Sequence, residues 1–393
     1  MKIAMIGQKG YPAHYGGVEK HVAEISQRLI SIGHDVTVYN RAWYGTNMNG
    51  QFEGVQVKTL PTIHTKHLDT IVHTFLATMY TLFNRYDVIH YHGVGPSLLS
   101  FIPRIFCNAK VITTFHCVDR HHQKWGIFAR TMLRLGEKAA CTFAHETITV
   151  SKSLQQYCRN EFYKETTYIP NGVTMPITEK TNNTEVLDAY GITNNQYILM
   201  VSRLVPHKGA HVLIEAFQRL KNEQKDNERI QNLKLVIVGG SAYTDDYVRS
   251  LHAQAGISND IVFTDFQSGK TIDALFLGTA LLVHPSMNEG LPITVLEAMS
   301  YEKPVMVSTI PEHLELITDP RFLVEENNVY ALCHRLKQFI ELDSDTVQRV
   351  GQKNALKVAE HYHWDSIVPE LIKVYQQTNE KKYPMHTKRS VHA

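Results

Sequence analysis

Short apolar runs alternate along the chain with segments whose apolar residues recur at helical spacing. The runs have the length and β-branched content of buried strands, and the segments between them have the length of helices. The predicted strands are 3–6, 36–39, 88–91, 111–114, 146–150, 197–201, 233–238, 261–264, 280–284 and 304–308. Strands that alternate with helices form parallel sheets covered on both faces. We therefore predict an α/β protein with two doubly wound domains.

A polar, turn-rich segment separates the two sets of predicted strands. We predict a first Rossmann-like domain over 1–178, a linker over 179–195 and a second Rossmann-like domain over 196–362. Apolar residues at helical spacing predict a last amphipathic helix over 363–378. The polar, basic tail over 379–393 is predicted to be disordered.

The composition is that of a globular protein long enough for two domains. Of its 393 residues, 43% are hydrophobic and 20% are charged, as in soluble proteins. Five scattered cysteines without a C-x-x-C pair favour reduced thiols, with no disulfide framework and no zinc site. The first apolar run is too short for a signal peptide, and the longest apolar stretch is interrupted by Asp69 and His73. We therefore expect a cytoplasmic protein.

The net charge of +2 hides a difference between the two halves. The first 178 residues carry 18 lysines and arginines against 11 acidic residues. Part of this excess alternates with large apolar residues in the segment 120–138, at Arg120, Lys124, Arg130, Arg134 and Lys138. A basic amphipathic helix binds anionic membranes, so the segment predicts peripheral membrane contact; the alternative is a half-buried helix with a cationic polar face. No nucleic-acid recognition motif accompanies the modest bias, and we expect no nucleic-acid partner.

Two cations lie in the turn between the strand predicted at 197–201 and a helix predicted at 210–221. They are Arg203 and Lys208. A guanidinium offers a planar fork to phosphate oxygens, and an ammonium offers a compact charge. Together they can neutralise a departing diphosphate without a metal ion. The alternative is a solvated loop with two ordinary surface cations.

Two carboxylates follow the strand predicted at 280–284. Glu289 and Glu297 are eight residues apart, with a glycine and a proline just after the first. Open α/β sheets bind ligands at such strand-to-helix edges, where two carboxylates can accept hydrogen bonds from a hydroxyl-rich ligand. The alternative is a pair of surface glutamates near a helix N-terminus.

With these two segments in view, the chain resembles the retaining glycosyltransferases of family 4, which have the GT-B architecture. The Arg-x4-Lys-Gly and Glu-x7-Glu patterns of that family occur in order. Further segments that fit are Gly-Gly-Val-Glu at 16–19, Thr-Phe-His at 114–116 with Asp119, Pro-Asn-Gly-Val at 170–173 and Ile-Val-Gly-Gly at 237–240. The resemblance spans residues 1–375. The N-terminal part is similar to bacterial and archaeal enzymes that build surface polysaccharides, including rhamnosyl and mannosyl transferases.

The resemblance implies two Rossmann-like domains facing across a cleft, with the last helix crossing back to the first domain. Arg203 and Lys208 would stabilise charge on the departing phosphate, Glu289 would bind hydroxyls of the donor sugar, and Glu297 would bind the ribose. The implied donor-binding residues are Gly16, Gly17, Arg203, Lys208, Glu289, Gly290, Leu291 and Glu297. The implied catalytic residues are His116, Arg203, Lys208 and Glu289.

Several of these positions also have an alternative interpretation that involves no ligand. His116 follows a predicted strand, where the family places a histidine beside the transferred sugar, but a histidine there can simply cap the strand. Cys117 and Asp265 stand where the family commonly has glycine. Tyr15 and Asp119 are expected on the acceptor side. The glycines at 16 and 17 precede a predicted helix, where they admit a phosphate to free N–H groups or only form a turn.

We therefore predict transfer of a sugar from a nucleotide diphosphate sugar to an acceptor hydroxyl, on a glycan or lipid-linked glycan, with retained anomeric configuration. Neither a metal nor another cofactor is expected, because the acidic pairs at 245–246 and 343–345 lie in polar loops or helix starts. One alternative is a nucleotide-sugar epimerase or sugar phosphorylase on the same fold. The other is a non-catalytic scaffold protein that binds sugar nucleotides.

Overall fold

A computed structural model of the chain describes residues 1–44, 49–65, 68–121, 126–176, 183–257 and 259–377. Its strands are β1 (Lys2–Ile6), β2 (Asp35–Arg41), β3 (Gly50–Phe52), β4 (Val55–Leu60), β5 (Val88–His92), β6 (Lys110–Phe115), β7 (Glu146–Thr149), β8 (Thr167–Tyr168), β9 (Tyr197–Val201), β10 (Lys234–Val238), β11 (Ile261–Phe263), β12 (Leu281–His284), β13 (Val305–Ser308) and β14 (Leu323–Val324).

The helices lie between these strands and after them. They are α1 (Gly17–Ser31), α2 (Leu68–Leu82), α3 (Val94–Ser97), α4 (Phe101–Phe106), α5 (Ile127–Thr142), α6 (Lys152–Phe162), α7 (Thr184–Ala189), α8 (Ala210–Glu223), α9 (Glu228–Gln231), α10 (Asp245–Ala255), α11 (Gly269–Gly278), α12 (Ile293–Ser300), α13 (Pro311–Leu314), α14 (Val329–Ile340), α15 (Ser344–His361) and α16 (Trp364–Gln376). Short 3-10 turns occur at Asp119–His121, Pro206–Lys208 and Pro320–Phe322.

The strands form two sheets. The first has the order β3-β4-β2-β1-β5-β6-β7-β8, and the second has the order β11-β10-β9-β12-β13-β14. All pairings are parallel except that of β3 with β4. The α/β prediction with two doubly wound sheets is confirmed. The ten predicted strands are all present, and several of them, such as β1, β9 and β12, are apolar runs buried along nearly their whole length.

Each sheet forms the centre of a lobe. In the first lobe, one apolar cluster fills the space between the sheet and the helices α1 and α16, and another lies between the sheet and α2. The second sheet and its helices share a larger cluster. The helix α7 joins this cluster through buried Leu187. Residues 177–182, which include the first four residues of the predicted linker, lie outside the described residues.

The last helix crosses from the second lobe back to the first, as predicted. α16 buries Trp364 completely, and the same face continues through Ile367, Leu371 and Val374 into the core of the first lobe. A backbone bridge between Val173 and His363 fixes the start of the crossing. The predicted tail at 379–393 lies outside the described residues.

The basic segment 120–138 is not one continuous amphipathic helix. Arg120 lies in a 3-10 turn, and α5 begins only at Ile127. Arg120 and Arg134 turn inward, each 3.3 Å from the completely buried carboxylate of Glu137, because a buried carboxylate requires cationic partners. Lys124 lies outside the described residues. Within those residues, no helix is both long enough and apolar enough to cross a membrane.

Candidate functional site

The loops after β9 and β12 meet at the edge of the second sheet. β9 lies between β10 and β12, so chain order changes direction here, and the carboxyl ends of strands at such a point border a crevice. Arg203 and Lys208 follow β9, and Glu289 follows β12. Gly209 has φ of 77°, and a Cβ on it would lie 2.5 Å from the Pro285 carbonyl oxygen. Glycine therefore allows the two loops to pack directly together.

Lys208 and Glu289 form an ion pair in this crevice. The same carboxylate oxygen lies 2.7 Å from Nε2 of His284, and Glu289 is only 9% exposed. Burial alone would raise the pKa of Glu289, but the Lys208 ammonium and His284 hold it well below its usual range. The carboxylate therefore stays ionised, and its two neighbours fix its orientation.

A second histidine supports this group from behind. His313 is completely buried and packs edge-on against His284, with ring centroids 5.5 Å apart. Its Nδ1 lies 2.9 Å from the Ser308 hydroxyl. Burial lowers the pKa of His313 to about 3, so the ring is neutral. The result is a rigid polar network beneath Glu289.

Arg203 is exposed and faces the first lobe. It is close enough to Cys117 to lower the pKa of that thiol, and Glu289 is close enough to raise it. Burial and the neighbouring Asp119 outweigh the arginine, so the pKa of Cys117 lies well above its usual range. The thiol donates to an Asp119 carboxylate oxygen at 3.0 Å. Arg203, Cys117 and Glu289 therefore share one small region between the lobes.

The first lobe closes directly on the loop that carries Glu289. A Cβ on Gly290 would lie 1.5 Å from the His116 carbonyl oxygen, so the two backbones touch. The Leu291 carbonyl accepts a hydrogen bond of 2.7 Å from the Asn171 side chain. His116, Gly290 and Leu291, which the sequence places in one site, are brought together here.

His116 belongs to a buried group of four histidines that also includes His21, His90 and His92. Nδ1 of His92 lies 3.3 Å from Nε2 of His116, and the His21 ring packs edge-on against His116 at 4.9 Å. Nδ1 of His21 contacts the Asn171 side-chain oxygen at 3.0 Å. Burial lowers the pKa of His21 to about 4 and holds the pKa values of the other three well below the usual range. All four rings are neutral at pH 7.

These neutral histidines predict a loss of stability in acid. The unfolded chain takes up protons near pH 6.5, whereas the folded chain does not until a much lower pH. Stability is therefore complete above pH 6.5 and falls as the pH drops, by about 1.4 kcal/mol per pH unit for each histidine. We expect the Tm to be flat between about pH 7 and 8 and to fall steeply below about pH 6, measured by scanning fluorimetry.

Two variants separate this effect from general acid sensitivity. His90→Gln should make the slope of stability against pH shallower by about one proton. His361→Gln, at an exposed histidine on α15, should leave the slope unchanged. An unchanged Tm down to pH 5 would contradict the neutral state of the buried group.

Glu297 forms an ion pair with a residue that the sequence did not indicate as part of the site. Lys20, on α1 of the first lobe, forms an ion pair with the Glu297 carboxylate. Gly17 lies on the same side, with the Ile293 side chain 3.9 Å from where its Cβ would be. Gly16 precedes the helix with φ of 107°. The predicted glycine turn and the second glutamate therefore face each other across the cleft, with Lys20 between them.

The loop at Tyr15 also contacts the second lobe. Its ring lies 6.1 Å from that of Phe266 in the second lobe and 5.0 Å from that of Tyr44. Asp265, beside Phe266, has φ of 55°. This left-handed conformation favours glycine, the residue common there in the family, so the backbone shape is kept although the residue differs.

Two groups of side chains in the described residues lie close enough to hold a metal ion, each with ligand atoms within 4.8 Å of one another: His21, His92 and His116, and His284, Glu289 and His313. In the second group, the Lys208 ammonium already contacts Glu289 and would repel a divalent cation. In the first, the three groups are neutral imidazoles, and the rings of His92 and His116 already contact each other. The expectation of no metal stays a prediction.

Sequence reasoning missed Lys20, His21, His92, His284 and His313. His92 and His284 end strands β5 and β12, so their positions at the ligand-binding edges could have drawn attention. Lys20 gave no signal, because a lysine on the polar face of a helix is ordinary.

Comparison with known proteins agrees with this architecture. Residues 15–175 match the family model described as Glycosyltransferase Family 4, and residues 183–357 match the model described as Glycosyl transferases group 1. An uncharacterized glycosyltransferase of Methanocaldococcus jannaschii, MJ1607, is 27% identical over 96% of this chain and 98% of its own length.

Two further proteins resemble the chain over nearly its whole length. The GDP-mannose-dependent alpha-(1-6)-phosphatidylinositol monomannoside mannosyltransferase of Mycobacterium tuberculosis is 22% identical over 94% of this chain and 97% of its own. The crystal structure of Anabaena Alr3699/HepE in complex with UDP and glucose superposes with a TM-score of 0.77 at 20% identity, covering 95% of this chain and 99% of that one. The two family matches together span both lobes, and the chain therefore belongs to the glycosyltransferases of the GT-B fold, with a family 4 domain in the first lobe and a group 1 domain in the second.

Proposed function

We propose that the protein transfers a sugar from a nucleotide diphosphate sugar to an acceptor hydroxyl with retention of the anomeric configuration. The observation that carries this proposal is the pairing of Lys208 with Glu289 beside exposed Arg203. This set lies in the crevice between β9 and β12 and is closed from the other lobe by His116. It offers cations for a diphosphate and a fixed carboxylate for sugar hydroxyls at adjacent positions.

The cations suit a departing phosphate. Arg203 makes no ion pair within the described part of the chain, so its guanidinium is free to bind phosphate oxygens in a bidentate manner. Lys208 is placed beside it by the 3-10 turn Pro206–Lys208. Charge that develops on the leaving group is stabilised most by cations already in position. This arrangement supports a reaction without a metal ion.

Glu289 suits binding better than nucleophilic attack. Its carboxylate is bound by an ammonium and an imidazole, and both lower its reactivity as a nucleophile. It can still accept hydrogen bonds from sugar hydroxyls through its second oxygen. With no free carboxylate assigned to attack, retention follows from same-face attack by the acceptor, assisted by the leaving phosphate.

Glu297 is proposed to bind the nucleotide ribose. In the structure its partner is Lys20, so the ribose must either displace that lysine or share the carboxylate with it. Because Lys20 comes from the first lobe, the state of closure and the occupancy of the ribose site are linked.

The proposed acceptor is a glycan or a lipid-linked glycan, bound on the side of the first lobe near Tyr15 and Asp119. Relatives support this class: the mycobacterial enzyme is named for a phosphatidylinositol mannoside, and O-antigen chain mannosyltransferase C of Escherichia coli is 22% identical. A cytoplasmic location with peripheral membrane contact accompanies the proposal. An epimerase, a phosphorylase or a scaffold protein stays an alternative until products are measured.

The experiment begins with the donor. UDP-, GDP- and dTDP-sugars are compared by thermal shift, since a ligand stabilises the fold in proportion to its occupancy. The stabilising donor is then incubated with hydroxyl acceptors, and the product is examined by NMR. We expect free nucleoside diphosphate and a glycoside with the anomeric configuration of the donor, both with and without EDTA. Inversion of the anomeric configuration would refute retention. Epimerised donor without transfer would refute the transferase reaction. Complete loss of activity in EDTA, restored by added metal, would refute a reaction that needs no metal ion.

A further inference from the structure

The ring of His116 contacts the ring of His92, which ends the neighbouring strand β5. Nδ1 of His92 lies 3.3 Å from Nε2 of His116. Burial holds the pKa values of both rings well below the usual range, so both are neutral. A neutral imidazole carries one proton, so one of its nitrogens donates a hydrogen bond and the other accepts one. Only one of the two facing nitrogens therefore supplies the hydrogen of this contact.

The opposite nitrogen of His92 decides which of the two it is. Nε2 of His92 lies 3.4 Å from the sulfur of Met5 on β1. A thioether sulfur accepts hydrogen bonds and has no proton to donate, so Nε2 of His92 carries the proton and Nδ1 carries the lone pair. Nε2 of His116 must then donate to that lone pair. The tautomer of His92 fixes the tautomer of His116.

The reverse arrangement would leave an acceptor of His92 without a donor. If Nδ1 of His92 carried the proton, the lone pair of its Nε2 would face the lone pairs of the Met5 sulfur. The two side chains are 1% and 0% exposed, so no water reaches this contact. A buried acceptor without a donor costs more than an ordinary hydrogen bond contributes. Burial therefore favours the first arrangement.

His21 is the third ring beside His116, and it has no proton to give. The Asn171 amide nitrogen donates to the Leu291 carbonyl, so the amide oxygen is the atom that lies 3.0 Å from Nδ1 of His21. An amide oxygen only accepts, so Nδ1 of His21 carries the single proton of that ring. Nε2 of His21 is left with a lone pair, and the proton on His116 is not contested.

Nδ1 of His116 is the nitrogen left for a ligand. It makes no hydrogen bond within the described residues, and it is not one of the unpartnered polar atoms that are sealed from solvent there. The His116 backbone touches Gly290, the residue after Glu289. The lone pair of Nδ1 is therefore accessible next to the loop that carries the Glu289 carboxylate.

We propose that His92 is a positioning residue for the transfer reaction: together with Met5 it holds His116 protonated at Nε2, so that the Nδ1 lone pair accepts a hydrogen bond from a hydroxyl of the donor sugar. The sugar would then lie between two acceptors, His116 of the first lobe and Glu289 of the second. A site built to bind a hydroxyl rejects the analogue that lacks it. The sugar contact rests on the proposed function, but the position of the proton does not.

Nitrogen NMR of the full chain, labelled at its histidines, locates these protons. Protonated and unprotonated ring nitrogens have well separated chemical shifts. The signals of His116 and His92 are identified by their loss in His116→Gln and His92→Asn. At about pH 7.5, above the ordinary pKa of histidine, we expect the proton on Nε2 in both rings. A proton on Nδ1 of His116 would overturn the proposal.

A substitution on β1 tests whether the sulfur sets these positions. Met5→Leu removes the acceptor and nearly conserves the side-chain volume. We expect the second tautomer of both His92 and His116 to appear in the spectrum. Met306→Leu, at a completely buried methionine of β13 in the second lobe, should leave the signals of both rings unchanged. Unchanged signals in Met5→Leu as well would show that the sulfur does not fix the proton.

Two substitutions of His92 separate positioning from packing. His92→Asn keeps an acceptor close to the place of Nδ1, whereas His92→Phe keeps a ring without an acceptor. We expect His92→Phe to lower donor affinity and turnover by about tenfold, the cost of about one hydrogen bond, and His92→Asn to retain most of both. If His92→Phe does not fold, Met5→Leu is compared with Met306→Leu in its place. Equal donor affinity and turnover within the pair would count against positioning by His92.

Single-deoxy analogues of the stabilising donor identify the hydroxyl that His116 binds. By thermal shift, one analogue should bind the wild type about tenfold more weakly than the parent donor, and His116→Phe should abolish that difference. If His116→Phe reduces the difference for none of the analogues, the sugar contact is refuted. If His116 is protonated at Nε2 but the wild type transfers no sugar, the proposed function fails while the assigned tautomer stands.

Discussion

Replacing Arg203 and Lys208 by alanine is expected to reduce turnover by a factor of at least about 1,000, since one well-placed electrostatic contact is worth about 100- to 1,000-fold in rate. The two side chains supply the positive charge next to the carboxylate of Glu289. Without them, the departing diphosphate would carry its charge unneutralised in a partly closed crevice. The measurement is kcat with a saturating donor identified by thermal shift.

Loss of Lys208 alone has a second consequence that must be separated from catalysis. The variant leaves the buried Glu289 without its ammonium partner, and an unpaired buried charge destabilises a fold by roughly 3–5 kcal/mol. Lys208→Met combined with Glu289→Gln removes both charges and should recover most of the lost Tm but none of the turnover. Recovery of turnover together with stability would show that the pair is structural.

A charge-matched control lies in the same lobe. Arg249→Ala with Lys270→Ala removes two exposed cations on α10 and α11, outside the loops after β9 and β12. This variant should keep the turnover of the wild type. Undiminished transfer by the Arg203 and Lys208 double variant would falsify the role proposed for the two cations.

The sequence was sufficient to predict strands that are buried on both faces. β9 and β12 are uninterrupted apolar runs, and their hydrophobicity alone identifies them. β8 and β14 have only two residues each, which is too short for any periodicity. β4 alternates buried and exposed residues beside the sheet edge, a pattern that also occurs in loops.

The structure brings several of the predicted site positions together through pairings that the sequence did not predict. The turn residues around Arg203 and around Glu289 are each close together in the sequence, so both turns could be identified from it. The contact of Lys208 with Glu289 depends instead on β9 lying beside β12. The pairing of Lys20 with Glu297 depends further on how one lobe closes on the other. Spacing within a segment carries no information about contacts of this kind.

Gly290→Ala is expected to reduce turnover about 100-fold or more while the second lobe still binds nucleotide, because a displacement of about 1 Å near the reacting groups costs on that order. A Cβ at this position would lie 1.5 Å from the carbonyl oxygen of His116 and 2.7 Å from its carbonyl carbon. Both atoms are backbone, so no change of rotamer relieves the clash, and the loop must move away from the first lobe.

That displacement changes more than one contact. It would also lengthen the hydrogen bond from Asn171 to the Leu291 carbonyl and shift Glu289 relative to His116. Gly95→Ala is the matched control, since a Cβ there meets Leu133 and Thr70 only at an ordinary 3.9 Å, and it should leave turnover unchanged. Donor affinity is followed by thermal shift and turnover by release of nucleoside diphosphate. If Gly290→Ala turned over as the wild type does, close apposition of the two lobes at this loop would not be a requirement of the reaction, and the site would have to work in a more open arrangement.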